Sequence, residues 1–214
     1  MASFRWVALS HMLLNLLKKI WFWRYRALNS LWQLEATVHG AILCDGVTLI
    51  GRPIIRCHPN SELRLCRNVK IYSALNSNPL GLMLPTTLRT LAPDSKLIIG
   101  CKSGLSGVVI CSAAEVTIGE NVIIGAGSLI IDNDFHSMRN GEWTNDFKGT
   151  ARPVRIGNDV FIGARSIILK GVEIGSNSVV GAGSVVTKSI PANSIAGGNP
   201  AVVLRTKKVR VDPV

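Results

Sequence analysis

Asp132, Asp134 and His136 stand at every second position of the segment Ile131-Asp-Asn-Asp-Phe-His136. In an extended chain that spacing puts the three side chains on one face, an imidazole with two carboxylates within reach. A carboxylate bonded to one ring nitrogen fixes the tautomer and raises the basicity of the other, so His136 would take a proton from a hydroxyl near pH 7. A histidine beside two acids is commonly no more than a surface hydrogen-bonding cluster. Position favours chemistry here, because the segment stands where a strict repeat breaks into a long loop. That loop carries Arg139, Asn140, Glu142, Trp143, Asn145 and Asp146, of which Asn140, Glu142 and Trp143 are the candidate contacts for an acceptor.

The repeat has a period of six. Ile156, Ile162, Ile168, Ile174, Val180 and Val186 lead successive hexads, with Gly157, Gly163, Gly175 and Gly181 behind four of them. Neither a helix nor a flat strand has that period, whereas a chain coiled into a triangular prism does, one hexad to each side. The leading aliphatic points inward and stacks on its equivalent in the next coil, and glycine beside it is expected to help the corner turn. Ile118, Ile124 and Ile130 lead three earlier hexads, and residues 137–155 interrupt the pattern. Upstream, Ile99, Leu105 and Ser112 fit if one extra residue is admitted near Cys111. Residues 37–72 show ragged echoes at Val47, Leu49, Ile54, Leu63, Leu65, Val69 and Ile71. Ala74 to Pro93, with three prolines, is expected to loop out of the coil or cross it irregularly. The expectation is an all-β chain: residues 1–36 a basic amphipathic helical segment, 37–205 the β-helix with its excursion at 137–155, and 206–214 a basic tail.

With 47% hydrophobic and 17% charged residues, the 214-residue chain can bury a long core. Its five cysteines form no CxxC pair and read as reduced thiols in a cytoplasmic protein. Residues 1–34 contain no acid, five basic residues and four of the five tryptophans. The longest uncharged stretch there, Trp6 to Leu17, is twelve residues, short of the roughly 20 a spanning helix needs. No small-x-small cleavage site follows it, so it does not read as a signal peptide. Two readings stay open: a helix in the cytoplasmic interface of the inner membrane, or an apolar helix packed on the prism or a neighbouring subunit. A net charge of +11 invites nucleic acid, but the basic residues gather at the two ends without a reader motif, and nucleic acid is not expected.

Residues 97–205 resemble hexapeptide-repeat acyltransferases of the left-handed parallel β-helix type, close to maltose, galactoside and nodulation-factor O-acetyltransferases and those of surface polysaccharides. The stretches that carry the resemblance are Ile118-Gly-Glu-Asn-Val-Ile-Ile-Gly, Asp132-Asn-Asp-Phe-His136, Ile156-Gly-Asn-Asp-Val-Phe-Ile-Gly163, Val180 to Pro191 and Ala196-Gly-Gly-Asn-Pro200. The resemblance implies a left-handed coil, against the usual crossover rule, a homotrimer with sites between prisms, and acetyl-CoA as donor. It implies His136 as the catalytic base and residues 137–155 as the loop closing the acceptor pocket. The pantetheine groove falls on Gly163, Ala164, Gly181 and Ala182. Phe161 takes the place of an aromatic that is often tryptophan, and Lys188 and Arg205 that of cations near the phosphates. The polar residue that assists at the acetyl group has no clear counterpart, with Ser106 nearest.

The expected activity is acetyl transfer to a hydroxyl of a sugar or lipid-linked saccharide, with no metal. Alternatives are an N-acetyltransferase acting on a nucleotide-linked amino sugar or an antibiotic, a zinc hydratase on the same prism, disfavoured because no third histidine joins His39 and His58, and a β-helix scaffold without activity.

Overall fold

A computed structural model describes residues 27–147 and 149–206. Most of the tryptophan-rich segment, residues 1–26, and the basic residues Lys207, Lys208 and Arg210 lie outside them.

Short parallel strands stack into three sheets that form the sides of a prism. The first face holds Ala41–Leu43, Glu62–Leu65, Lys96–Ile99, Glu115–Ile118, Val154–Ile156 and Glu173–Ile174. The second holds Thr48–Ile50, Lys70–Tyr72, Gly104–Ser106, Ile123–Ile124, Phe161–Ile162, Val179–Val180 and Ser194–Gly198. The third holds Ile54–Arg56, Thr87–Thr90, Val109–Ser112, Leu129–Ile131, Ile167–Ile168 and Val185–Val186. Ile118 pairs with Ile156 and Ile156 with Ile174, so the inward aliphatics stack coil upon coil. All are buried in one continuous core. Each such Ile or Leu contributes about 1.5–3 kcal/mol by leaving water.

The irregular coils differ in detail from the expectation. Ile55, not Ile54, points inward; Ile54 is exposed. Ile110 aligns with Ile130 and leads its hexad in place of Ser112. The extra residue is therefore the net of a corner shortened before Ile110 and lengthened after it. Of the proline-bearing segment, Thr87–Thr90 is a regular strand of the third face, and only the residues before it leave the coil.

The glycines that follow the inward aliphatics serve close stacking and not turning. A Cβ on Gly163 would stand 2.4 Å from the Ala182 nitrogen, and one on Gly175 2.3 Å from the Ala192 nitrogen. The left-handed turns fall elsewhere, in columns along the prism edges, with Asn60, Asp94 and Gly171 on the edge between third and first faces. On the edge between first and second faces stand Asn68, Lys102, Asn121, Asp159, Asn177 and Asn193, with φ between 54° and 60° except for Lys102 at 62°. On the edge between second and third faces stand Gly107, Gly127, Arg165 and Gly183. Buried serines close the gaps between coils: Ser128 Oγ donates to the Gly163 carbonyl at 3.1 Å and Ser166 Oγ to that of Gly181 at 3.1 Å.

The helix at 27–38 covers the first coil. Ala36 is buried and Trp32 packs on the core. Gln33 Nε2 donates to the Val47 carbonyl at 2.6 Å and Asn29 Oδ1 accepts the Leu49 amide at 2.6 Å, satisfying an edge strand that would otherwise be open. Arg52 holds Glu35 through two bonds of 2.7 and 2.9 Å. Leu31, Leu34 and Val38 of the helix are exposed. Among the described residues, no helix is long and apolar enough to cross a membrane. At the other end Ala201–Thr206 folds back antiparallel on Ser194–Gly198.

Candidate active site

The chain leaves the coil after Ile131 and rejoins it at Val154, on the edge between third and first faces. The excursion is built around a hairpin, Ser137–Arg139 against Glu142–Thr144. Its turn is Asn140-Gly141, both with positive φ (52° and 81°), as a two-residue hairpin demands. Arg139 pairs with Asp146, and the rings of Phe135 and Phe147 meet edge to face at 6.1 Å. The Asp134 amide donates to Thr150 Oγ1 at 3.1 Å.

His136 is exposed at the root of this hairpin, in an open cleft of about 640 Å³ that Asp134 and Trp143 also line. The shared face expected for Asp132, Asp134 and His136 is not formed. Phe135 turns the backbone through a φ of 61°, and the His136 amide donates to the Asp134 carbonyl at 2.7 Å, so the segment is not extended. Asp132 is fully buried and its carboxylate accepts the amides of Ala113, Ala114 and Glu115 at 2.7–2.8 Å, with the Ser112 hydroxyl and Asn133 amide at 3.0 Å. It is a corner clamp. Asp134 remains beside His136 but its carboxylate is held by Lys170. Among the described residues the His136 imidazole has no hydrogen-bond partner, which leaves both ring nitrogens free for a ligand. Asn140 shapes the turn, Glu142 is exposed opposite Arg139, and Trp143 is 72% exposed.

The other sequence-based site residues lie on different parts of the prism. Gly163, Ala164, Gly181 and Ala182 are on the edge between second and third faces, where Ala164 lines a groove of about 700 Å³ with Ala126, Gly127 and Arg165. Leu80, Met83 and Leu84, from the excursion before Thr87–Thr90, form its other wall. Phe161 projects outward from the second face between Ile123 and Val179 and is 45% exposed. Lys188 follows Val185–Val186 on the side of His136, and Arg205 pairs with Ile195. Ser106 faces neither His136 nor the groove. It lines a third cleft, of about 360 Å³, on the second face. Sequence reasoning does not single out Arg165, the one side chain in an otherwise all-glycine column of left-handed turns, or Lys70 and Lys102 beside Ser106.

The five cysteines are free thiols. Among the described residues no three His, Cys, Asp or Glu side chains gather as a metal site.

A family model for the hexapeptide repeat of succinyl-transferase matches residues 115–131 and 153–188. Galactoside O-acetyltransferase of Escherichia coli is 44% identical over 90 residues, 42% of this chain and 43% of that protein. Serine acetyltransferase of Synechococcus elongatus is 29% identical over 164 residues, 77% of this chain and 64% of that one. The crystal structure of NeuO, a polySia specific acetyltransferase, aligns at 26% identity with a TM-score of 0.54, covering 81% of this chain and 70% of that one. The chain spans 29–64% of the length of the curated relatives it matches. The repeat occupies the stretches where the inward isoleucines stack, and the unmatched gap between them is the hairpin excursion. The fold is therefore a left-handed parallel β-helix, and the repeat that builds it is the one found in hexapeptide-repeat acyltransferases.

Proposed function

We propose that this protein transfers an acetyl group from acetyl-CoA to a hydroxyl of a saccharide, with His136 as general base. The observation that carries the reading is the exposed imidazole at the root of the hairpin, free of internal partners and set in an open cleft with Asp134 and Trp143. Galactoside O-acetyltransferase and NeuO, whose names state acetyl transfer, support the reaction class and the saccharide acceptor.

The groove on the edge between second and third faces fits a slender donor. Gly107, Ala126, Gly127 and Ala164 present at most a methyl group there, so this wall of the channel is smooth. Arg165 adds a cation at its side. Coenzyme A would be held along these residues and would supply the acyl group as an activated thioester. His136 Nε2 or Nδ1 accepts the proton of the attacking hydroxyl and returns it to the leaving thiolate. Asp134, fixed by Lys170, holds a negative charge near the imidazolium that forms. Trp143 offers an exposed indole against which a sugar ring can lie.

His136 and the groove stand on different edges of one prism, and Ser106 on the face beyond. A complete site therefore needs two copies: the hairpin edge of one against the groove and Ser106 cleft of another, as a threefold assembly provides. The exposed Leu31, Leu34 and Val38 suit contact of the first helix with a membrane surface or a neighbouring subunit.

The test is coenzyme A release from acetyl-CoA with hydroxyl sugars and amino sugars, free and lipid-linked. Turnover with hydroxyl acceptors is expected. Turnover restricted to amines would replace the proposal with N-acetylation, and coenzyme A binding absent from calorimetry would leave a scaffold.

A further inference from the structure

The cleft that holds Ser106 is floored by Gly104. Along the outward side of the second face, Lys70, Gly104 and Ile123 are paired in register, and the missing side chain at Gly104 opens a notch between the other two. A Cβ there would meet nothing within 4 Å, so the notch is not closed from another direction. Tyr72 and Ser106, themselves paired, form one side, and Lys102 with Asn68 and Asn121 the other.

The chemistry of that lining is one-sided. It contains two lysines, two carboxamides, a phenol and two serine hydroxyls, and no carboxylate. Lys70 and Lys102 are both exposed, and among the described residues neither has an acidic partner. Other cations of the prism are held by acids, as Arg52 by Glu35, Arg64 by Glu62 and Arg155 by Glu115, whereas these two stand together without one.

Lys102 is also out of type for its position. In its column of left-handed turns the other members are Gly46 and five Asn or Asp residues, all types that tolerate positive φ, and the Asn and Asp side chains bridge between coils, as Asn121 to Asp159 and Asn177 to Asn193 at 2.8 Å. Lysine at a φ of 62° gains neither advantage. Its cost is offset only if the ammonium is wanted at the cleft.

We infer that the acceptor is an anionic saccharide, whose carboxylate or phosphate docks between Lys70 and Lys102 while a sugar ring lies against Tyr72 and Ile123. This rests on the proposed acetyl transfer and on Ser106 marking the acceptor side of the shared site. The cleft, of about 360 Å³, has room for a monosaccharide unit, and both lysines line it.

The full-length protein is assayed for coenzyme A release with three acceptor sets: neutral oligosaccharides, uronate-containing oligosaccharides, and sugar phosphates. Anionic acceptors are expected to show a KM at least about tenfold below neutral ones, rising with ionic strength. The uronate and phosphate arms identify which anion is held. Lys102→Asn, the residue type natural to that column, and Lys70→Gln should each raise the KM for the anionic acceptor about fivefold or more. Lys96→Gln, on the first face, should leave it unchanged. Equal use of neutral and anionic sugars, or equal effects of all three variants, would overturn the anionic-acceptor inference while acetyl transfer stands. Absence of turnover with every acceptor, together with absence of coenzyme A binding, would overturn the reaction itself.

Discussion

The carboxylate of Asp132 accepts the backbone amide of Ala113 at 2.7 Å, tying the strand exit of one coil to the corner of the coil before it. Only two residues, Ala113 and Ala114, separate Val109–Ser112 from Glu115–Ile118, and the amides of Ala113, Ala114 and Glu115 at this corner are all received by one carboxylate. Asp132→Ala would leave these donors with no acceptor in a largely dry corner. A loss of about 3 kcal/mol or more is expected, since bonds to a charged acceptor are worth roughly 1.5–3 kcal/mol each before relaxation. Urea denaturation would measure it, and a wild-type midpoint would show that the corner has another way to satisfy its amides.

His136→Ala should lower turnover by roughly 10² to 10⁴-fold, the usual worth of a general base. Coenzyme A affinity should hold, because the groove lies on another edge. Asp134→Asn should cost less, about tenfold, because the amide keeps the contact with Lys170 but loses the charge. Comparing kcat with the coenzyme A dissociation constant checks both. A His136→Ala enzyme with near-normal kcat would refute the base assignment.

The period-six stack was legible from Ile118 onward because, outside the excursion, nothing alters the count of six there. It failed at Ile55 and Ile110, where two apolar residues adjoin and a corner changes length, so spacing alone could not say which points inward. The excursion was expected only as a loop, although Asn140-Gly141, a pair suited to consecutive positive φ, marks the turn of its hairpin. The face shared by Asp132 and His136 was misread because period two holds only while the chain stays extended. The left-handed turn at Phe135 ends that, and the unpaired amides around Ala113, invisible in sequence, draw Asp132 inward. Lys70 and Lys102 escaped notice because they are 32 positions apart and become neighbours only by stacking of coils.

Gly163→Val should damage both fold and donor binding. The added Cβ would come within 2.4 Å of the Ala182 nitrogen and 2.7 Å of its Cα, backbone atoms of the next coil that cannot swing away. Coils would have to part locally, which breaks the Gly163 amide bond to the Val180 carbonyl at 2.8 Å. The cost is about 1–3 kcal/mol from overpacking alone. Gly183→Ala, by contrast, meets no atoms but must hold a φ of 70°, so it should cost about 1 kcal/mol through strain and leave the coil spacing intact. Thermal denaturation of the two variants, with coenzyme A titration, separates stacking from turning. Equal losses in both would contradict the distinction.

Burial pushes the thiols of Cys57, Cys66 and Cys111 above their ordinary value, with Cys111 the most enclosed. A neighbouring Arg89 pulls Cys111 back and Asp132 pushes it further, but loss of water is the main cause. The folded protein therefore keeps these protons where the unfolded chain, near about 8.5, begins to release them. Their contribution to stability is full below that unfolded value and is lost as pH rises through the higher folded values. Stability should accordingly be flat in this respect at neutral pH and decline in the alkaline range, and replacing Cys111 with alanine should flatten that decline. Because thiolate is the reactive form, iodoacetamide at pH 8 should modify Cys111 many times more slowly in the native protein than in urea. Peptide mass spectrometry over time measures this directly, and equal rates in the two states would show that the thiol is neither enclosed nor raised.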